Sequence, residues 1–457
     1  MRKIVNIQKN DEFIVDIIDY GYEGEGIAKH KDFTIFVPGA LKGERVKIHI
    51  VKILTSYAYA KVVEIIKPSK KRAEIDCALF GKCGGCQLRH MTYDESLSVK
   101  EGIVQNLVNK TLSNKIKVNP IVAMGNPYDY RNKAIYPVGF DKDHKPQIGS
   151  YKQRSHQIIS GSSCLIQNEI SEKIANAIHY YIIQNNVSVY DEETMEGLLR
   201  HVIIKMGFRS HEVMVILVIN GDKFPKEKTF CKYLLSEFPE IKTIVTNINK
   251  KNTNVILGEK NVTIYGEGYI FDNLGDFTFK ISPNSFYQIN PVQTEVLYLE
   301  AIEQANLTKD DIVYDLYCGI GTIGIFLADR VKKVYGIEIV DEAIKMAEEN
   351  AEINNIKNIE FYCGDVEKIF MKLLRKNNIY PDVIFVDPPR KGLDKKTIDN
   401  LKAIESNRII YISCNPATLI RDVKLLETKY EVKSISPVDM FPFTSHVESI
   451  CLLEIKE

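Results

Sequence analysis

Two reactive side chains stand near the C-terminal end of this 457-residue chain: Cys414, in ISCNP, and Glu448, in MFPFTSHVES. A thiol attacks as its thiolate, and a carboxylate is suited to take up a proton. A free thiol is only a few per cent ionised near neutrality, so a working site is expected to favour the thiolate. Upstream, residues 315–324 read DLYCGIGTIG. Gly319 and Gly321 permit a tight turn and close backbone approach to a ligand. Glu338 follows 23 residues after Asp315, where a carboxylate can accept both hydroxyls of a ribose. Asp365 in YCGD and Asp387 in DPPR come next, and the glycine loop holds no Lys or Arg for a phosphate. Taken singly, each acid is a solvated strand end and Cys414 a small buried hydrophobe. Three acids at successive strand ends behind one glycine loop point instead to a nucleoside-bearing cofactor.

The elements that must hold these groups alternate. Strands are expected at Asp311–Tyr317, Val334–Ile339, Ile359–Cys363, Asp382–Val386, Arg408–Ser413, Glu431–Ile435 and Ser449–Ile455, with helical spacing between the first five. The clearest helix is Asp341–Asn354. Such alternation implies a mostly parallel, doubly wound sheet whose ligands sit beyond the carboxyl ends of its strands. The glycine loop and the acids together resemble the class I S-adenosylmethionine methyltransferases.

The reaction follows from the thiol. DPPR alone would suit methylation of an exocyclic amine, but that motif usually ends in an aromatic and here position 390 is Arg. A cysteine and a carboxylate beside a methyl donor suit carbon 5 of a pyrimidine. Thiolate attack on carbon 6 makes that poor nucleophile an enolate, and a base then removes the carbon-5 proton. Four segments resemble the RNA 5-methyluridine methyltransferases over essentially the whole chain: SCNP with Cys414, HVE with Glu448, DPPR with Asp387, and SFYQINP ahead of the glycine loop. The resemblance implies that Cys414 is the nucleophile and Glu448 the base. It also implies that Gln288, Tyr317, Glu338 and Asp387 contact S-adenosylmethionine and that Asp365 touches its adenine. YRNK, residues 130–133, also resembles the family, and implies Arg131 near the target base.

Nine cysteines are present. Cys77, Cys83 and Cys86 form C-x5-C-G-G-C, and Cys164 follows in GSSC. Four thiolates could hold zinc or an iron–sulfur cluster. Zinc ribbons usually offer two C-x2-C pairs and only one is present, which favours iron–sulfur. The set also resembles the 4Fe-4S motif of the ribosomal-RNA branch of the family. Cys231, Cys318, Cys363 and Cys451 read as structural.

Zero net charge hides an asymmetry: residues 1–72 carry 14 Lys and Arg against 9 acids, and residues 273–457 carry 22 against 29. The basic end could face nucleic acid. Residues 11–65 read as short strands with glycine turns, at Phe13–Ile18, Thr34–Val37, Glu44–Val51 and Tyr57–Ile66. The stretch GYEGEGIAKHKDFTIFVPGALKGERV resembles the TRAM domain, an RNA-binding barrel. The expected architecture is α/β: a TRAM barrel over 1–66, an α+β iron–sulfur domain over 67–274 with a helix over Ser96–Val108, and a Rossmann-like methyltransferase domain over 275–457. No signal peptide or membrane span is legible, so a cytoplasmic protein is expected, and the enzyme is read as a monomer. The resemblance, with a TRAM barrel and the cysteine cluster together, implies methylation of carbon 5 of a uridine in RNA, with 23S ribosomal RNA as the expected substrate. Two rivals are a transfer-RNA methyltransferase of the same mechanism and a non-catalytic RNA-binding iron–sulfur protein.

Overall fold

The computed structural model describes residues 7–161, 164–377, 379–404 and 406–456; residues 162 and 163, just ahead of Cys164, lie outside it. Five strands, β1 (Glu12–Tyr20), β2 (Gly26–His30), β3 (Phe33–Val37), β4 (Arg45–Ile53) and β5 (Tyr57–Lys67), close a barrel in the order β1-β2-β3-β5-β4. Alternate residues such as Val46, Ile48 and Ile50 fill its interior, as the two-residue period of a strand requires. Strand β2 was not legible in the sequence, because GIAKH is short, glycine-led and half polar. The barrel docks on the rest of the chain through Leu41, which packs against Leu88, Met91, Val99 and Ile103. Buried Glu44 reinforces that contact by accepting from the Arg72 guanidinium at 2.7 Å.

Next come α1 (Tyr93–Thr111), β6 (Lys133–Phe140), β7 (Pro146–Ile148), the two-residue strands β8 (Ser150–Tyr151) and β9 (Ile158–Ile159), α2 (Glu169–Gln184), β10 (Leu199–Met206), β11 (Val213–Ile219), α3 (Glu227–Glu237), β12 (Ile241–Ile248) and β13 (Lys260–Tyr265). Six of these strands form a sheet in the order β13-β12-β11-β10-β6-β7. Every residue of β11 is buried, so both faces are covered. Val213, Val215, Leu217 and Ile219 face α2 and α3, whereas Met214, Ile216 and Val218 enter the core of the C-terminal half. Helix α1 also leaves the central region. Its Val104 and Val108, with Leu112 and Val118 beyond it, pack into the second core of the C-terminal sheet.

The C-terminal half opens with a hairpin, β14 (Ile270–Leu274) and β15 (Phe277–Ile281), and continues through α4 (Pro291–Ala305), β16 (Ile312–Leu316), α5 (Thr322–Ala328), β17 (Lys333–Glu338), α6 (Asp341–Ile353), β18 (Ile359–Cys363), α7 (Val366–Asn377), β19 (Val383–Val386), α8 (Lys395–Ile404), β20 (Arg408–Ser413), α9 (Pro416–Leu426), β21 (Tyr430–Val438) and β22 (Glu448–Ile455). The seven-stranded sheet has the order β18-β17-β16-β19-β20-β22-β21. Its first five strands are parallel and β22 inserts antiparallel beside β20. The strand order reverses between β16 and β19, so the crevice beyond their carboxyl ends is where a doubly wound sheet binds ligands. The expected α/β architecture with an N-terminal barrel is observed. Among the described residues no helix is long and apolar enough to cross a membrane.

Candidate active site

That crevice holds a cavity of about 730 Å³. Gln288, Tyr317, Glu338, Asp365, Asp387, Cys414 and Glu448 all line it. Residues far apart in sequence thus converge on one space.

One end is shaped for a nucleoside. After β16 the chain turns through Tyr317 (φ 66°), Gly319 (φ 54°) and Gly321 (φ 82°). A Cβ on Gly321 would stand 2.9 Å from the Phe361 ring, while one on Gly319 would meet nothing within 4 Å, so Gly319 presents bare backbone to the cavity. Glu338 ends β17 and accepts from Gly319 N–H at 3.3 Å and from Ile339 and Val340 N–H at 2.8 and 3.0 Å. These bonds orient the carboxylate, and Oε2, which accepts only one of them, keeps a lone pair free for a ligand hydroxyl. Asp365 caps α7 by accepting from Glu367 N–H at 3.0 Å. Asp315 lies deeper and accepts from Gly324 N–H at 2.9 Å. Burial pushes its carboxyl up to about 7.

The other end carries the reactive groups. Cys414 sits between the last residue of β20 and α9, whose first turn is built by Asn415 as cap and Pro416. Asn415 also donates from Nδ2 to the Arg390 carbonyl at 3.1 Å, which ties SCNP to DPPR. Glu448 is the first residue of β22 and is buried, with the half-buried Asp387 nearby. Burial, and for Glu448 also the nearby Asp387, biases both carboxyls towards the protonated form. Arg390 opposes this at Glu448.

The thiol departs from what the sequence led us to expect. Burial, then Glu448, pushes Cys414 up to about 11, so the resting group is a protonated thiol. Its favourable partner is Arg390, which acts by charge and by a hydrogen bond. In sequence position 390 was informative only as a departure from an aromatic; in the fold it is the cation beside the nucleophile. Replacing Arg390 by Leu should therefore slow iodoacetamide labelling of Cys414 by about tenfold at fixed pH and move the labelling–pH curve upward. The curve itself should rise with pH, because the thiolate fraction grows until pH reaches the raised pKa. An unchanged curve, read at Cys414 by peptide mass spectrometry, would remove Arg390 from this role.

Three further groups at the mouth escaped sequence reasoning. Phe286 lines the cavity with 64% of its surface exposed. Lys133 lines it as well, whereas Arg131, two residues earlier, does not. Arg131 instead stands where its charge bears on Cys86 and Cys164. From the barrel, the Tyr22 hydroxyl donates to Asn415 Oδ1 at 3.2 Å, which brings the β1–β2 turn to the nucleophile's neighbour. No local pattern in β1 or β2 encodes that approach.

The cysteine set is partly assembled. Cys83 and Cys164 both bear on Cys86, and burial pushes Cys86 up to about 11. Arg89 and Arg131 pull in the opposite direction. Gly85 N–H donates to Cys83 Sγ at 3.3 Å. Arg131 Nε is buried with no hydrogen-bond partner. Thiols, guanidinium groups and a backbone donor suit an anionic, sulfur-ligated group. Among the described residues, however, no three Cys, His, Asp or Glu side chains stand close enough to hold a metal ion. Cys77 is half-buried in the turn closed by the Phe80 N–H to Cys77 carbonyl bond at 3.1 Å.

Residues 8–63 match the TRAM domain and residues 250–456 match the family described as tRNA (Uracil-5-)-methyltransferase. Proteins named "uncharacterized RNA methyltransferase" from Halalkalibacterium halodurans and Clostridium tetani are 44% and 43% identical over 452 and 454 residues, about 98% of each chain. The chain belongs to the tRNA (uracil-5-)-methyltransferase family. Among solved structures it is similar to a Pyrococcus abyssi tRNA (uracil-54, C5)-methyltransferase in complex with S-adenosyl-L-homocysteine. That match has a TM-score of 0.77 and 26% identity, and covers 96% of this chain and all of the other. The protein is accordingly an S-adenosylmethionine-dependent RNA methyltransferase with an N-terminal TRAM barrel.

Proposed function

We propose that this protein methylates carbon 5 of a uridine in 23S ribosomal RNA through a covalent adduct. The observation that supports it is the shared cavity in which Cys414, Arg390, Asp387 and Glu448 meet the nucleoside end of the crevice. Cys414 first loses its thiol proton to solvent, and the thiolate, stabilised by Arg390, bonds to carbon 6 of the uracil while the ring's double-bond electrons form an enolate. Carbon 5 then takes the methyl group, and the carbon–sulfur bond of the donor breaks to leave S-adenosylhomocysteine. Glu448 accepts the carbon-5 proton, the ring double bond re-forms, and the carbon 6–sulfur bond breaks to return the thiolate. A carboxylate whose pKa is raised towards the working pH is the stronger base once ionised. Gln288, Tyr317, Glu338 and Asp365 hold the methyl donor in this reading, with Glu338 on the ribose hydroxyls and Asp365 at the adenine.

The preference for ribosomal RNA rests on the barrel and the four cysteines occurring together, which resembles that branch of the family. A second reading, transfer RNA, is favoured by the Pyrococcus neighbour, whose substrate is a transfer RNA. Labelled-methyl transfer to purified ribosomal and transfer RNA, followed by mapping of 5-methyluridine, tests both. Methylation of transfer RNA alone would overturn the first reading, and transfer to neither would favour a binding protein without catalysis. The barrel, at the basic end of the chain, is placed to grip RNA phosphates, and the enzyme would act as a cytoplasmic monomer.

The cysteines Cys77, Cys83, Cys86 and Cys164 belong in this reading to a 4Fe-4S cluster that would cross-link their segments. Anaerobically purified protein should then be brown and contain about four irons per chain. Stoichiometric zinc, or no metal, would reject the cluster without touching the chemistry at Cys414.

A further inference from the structure

The loop that carries the chain from β21 into Glu448 contains an unusual residue. Phe443 has φ 64°, in the left-handed region that bulky side chains avoid. Such a conformation persists where its surroundings over-determine it, and here they do. The Phe443 carbonyl accepts two N–H groups, from Gln87 at 3.1 Å and Leu88 at 2.9 Å. Its ring lies 4.3 Å below the Arg89 guanidinium. Two residues on, Ser445 N–H donates to Gln87 Oε1 at 3.2 Å. Gln87 is itself held by its Nε2, which donates to the Gly84 carbonyl at 2.9 Å. The upstream arm of the loop is anchored separately, by Tyr130 O–H to the Pro442 carbonyl at 3.1 Å and by Lys100 to the Phe441 carbonyl at 2.9 Å.

Glu448 begins β22, where its backbone pairs with Val438 and the ladder ends. The ladder fixes the strand, and the turn at 443–445 fixes how the chain enters it. We propose that residues 84–88, the GGCQL segment, are a positioning element for the proton-removal step. They hold the strained turn and so aim the Glu448 carboxyl, with Gln87 as the positioning residue that bridges both sides. This inference rests on Glu448 being the base in the reading above.

The test uses two substrates. With uridine RNA, the full-length Gln87→Ala enzyme should turn over about tenfold more slowly and accumulate a methyl-labelled, denaturation-resistant RNA adduct. RNA carrying 5-fluorouridine has no carbon-5 proton to remove, so every enzyme should stop at the adduct. Gln87→Ala should form that adduct at the wild-type rate and bind S-adenosylmethionine normally. Gln87→Glu keeps an acceptor for Ser445 N–H and should restore most of the turnover. Adduct formation on 5-fluorouridine RNA that falls in parallel with turnover would overturn the positioning role, because the damage would then precede the base step. Wild-type turnover by Gln87→Ala would overturn it too. A wild-type enzyme that forms no adduct on 5-fluorouridine RNA would instead reject the covalent reading, and this inference with it.

Discussion

An enzyme carrying Glu448→Gln is expected to transfer one methyl group per active site and then stop, covalently attached to its RNA. The substitution keeps the shape of a fully buried side chain and removes its basicity. If Glu448 takes the carbon-5 proton, all bond-making up to methyl transfer proceeds and the release of Cys414 fails. Turnover should fall by about 10²–10⁴-fold, the usual range for a positioned general base. The trapped species should survive denaturing electrophoresis and carry label from the methyl donor. Cys414→Ala should show neither label nor adduct, and the double variant should behave like Cys414→Ala. In the wild-type enzyme, resolution of the adduct should accelerate as pH rises through the raised pKa of Glu448, because only the ionised carboxyl accepts a proton. Wild-type turnover by Glu448→Gln without any adduct would show that another group is the base. Methylation of carbon 5 by Cys414→Ala would overturn the covalent route altogether.

The second large effect is on stability. Lys100 and Asp439 form an ion pair at 2.5 Å in which both side chains are fully buried. Tyr93 O–H also donates to Asp439 Oδ2 at 2.8 Å, and its oxygen accepts from Met124 N–H at 2.9 Å. Burial lowers the Lys100 pKa and Asp439 raises it back in part. Lys100→Met leaves Asp439 charged and buried without its partner, which typically costs about 3–5 kcal/mol. Urea unfolding should show that loss. The double substitution Lys100→Met, Asp439→Leu should recover much of it, because replacing both members of a buried pair by apolar groups is often close to neutral. A loss below about 1 kcal/mol in the single variant, the range of exposed pairs, would mean that water reaches the pair. The pair joins α1 to the loop ahead of Glu448, so the same experiment measures how firmly the central segment is bolted to the catalytic half.

The strands of the central and C-terminal sheets were legible because hydrophobic runs such as VMVILVI in the one and RIIYIS in the other have no competing reading, and because glycine, asparagine and proline mark the turns between them. Ile359–Cys363 and Arg408–Ser413 have the expected bounds, and Asp341–Ile353 is one residue shorter than expected. Strand β2 and the hairpin β14–β15 were not legible, since five-residue strands rich in glycine or polar residues gain their stability from neighbours rather than from their own pattern. The line drawn at residue 275 marks where strand–helix alternation begins, and core packing crosses it. Helix α1 lies well before it, yet shares a core with β16 and β19. One face of β11 likewise belongs to the C-terminal core.

By itself, the sequence determined the kinds of chemistry present and the edge of the sheet on which they lie. Cys414, Glu448, Asp387, Glu338 and Asp365 were readable because each begins, ends or closely follows a strand whose pattern is strong, and strand ends in a doubly wound sheet face one crevice. The tertiary structure alone decided the electrostatic state and the supports of those groups. Arg390 is the partner of the thiol, Cys414 rests protonated at a pKa of about 11, and Phe443 is held at φ 64° by a segment some 350 residues upstream. Burial and contact across hundreds of residues set these properties, and neither leaves a periodic trace in the chain. A pKa depends on the desolvation and charge that surround a group in space, and a strained turn depends on partners that only folding brings to it.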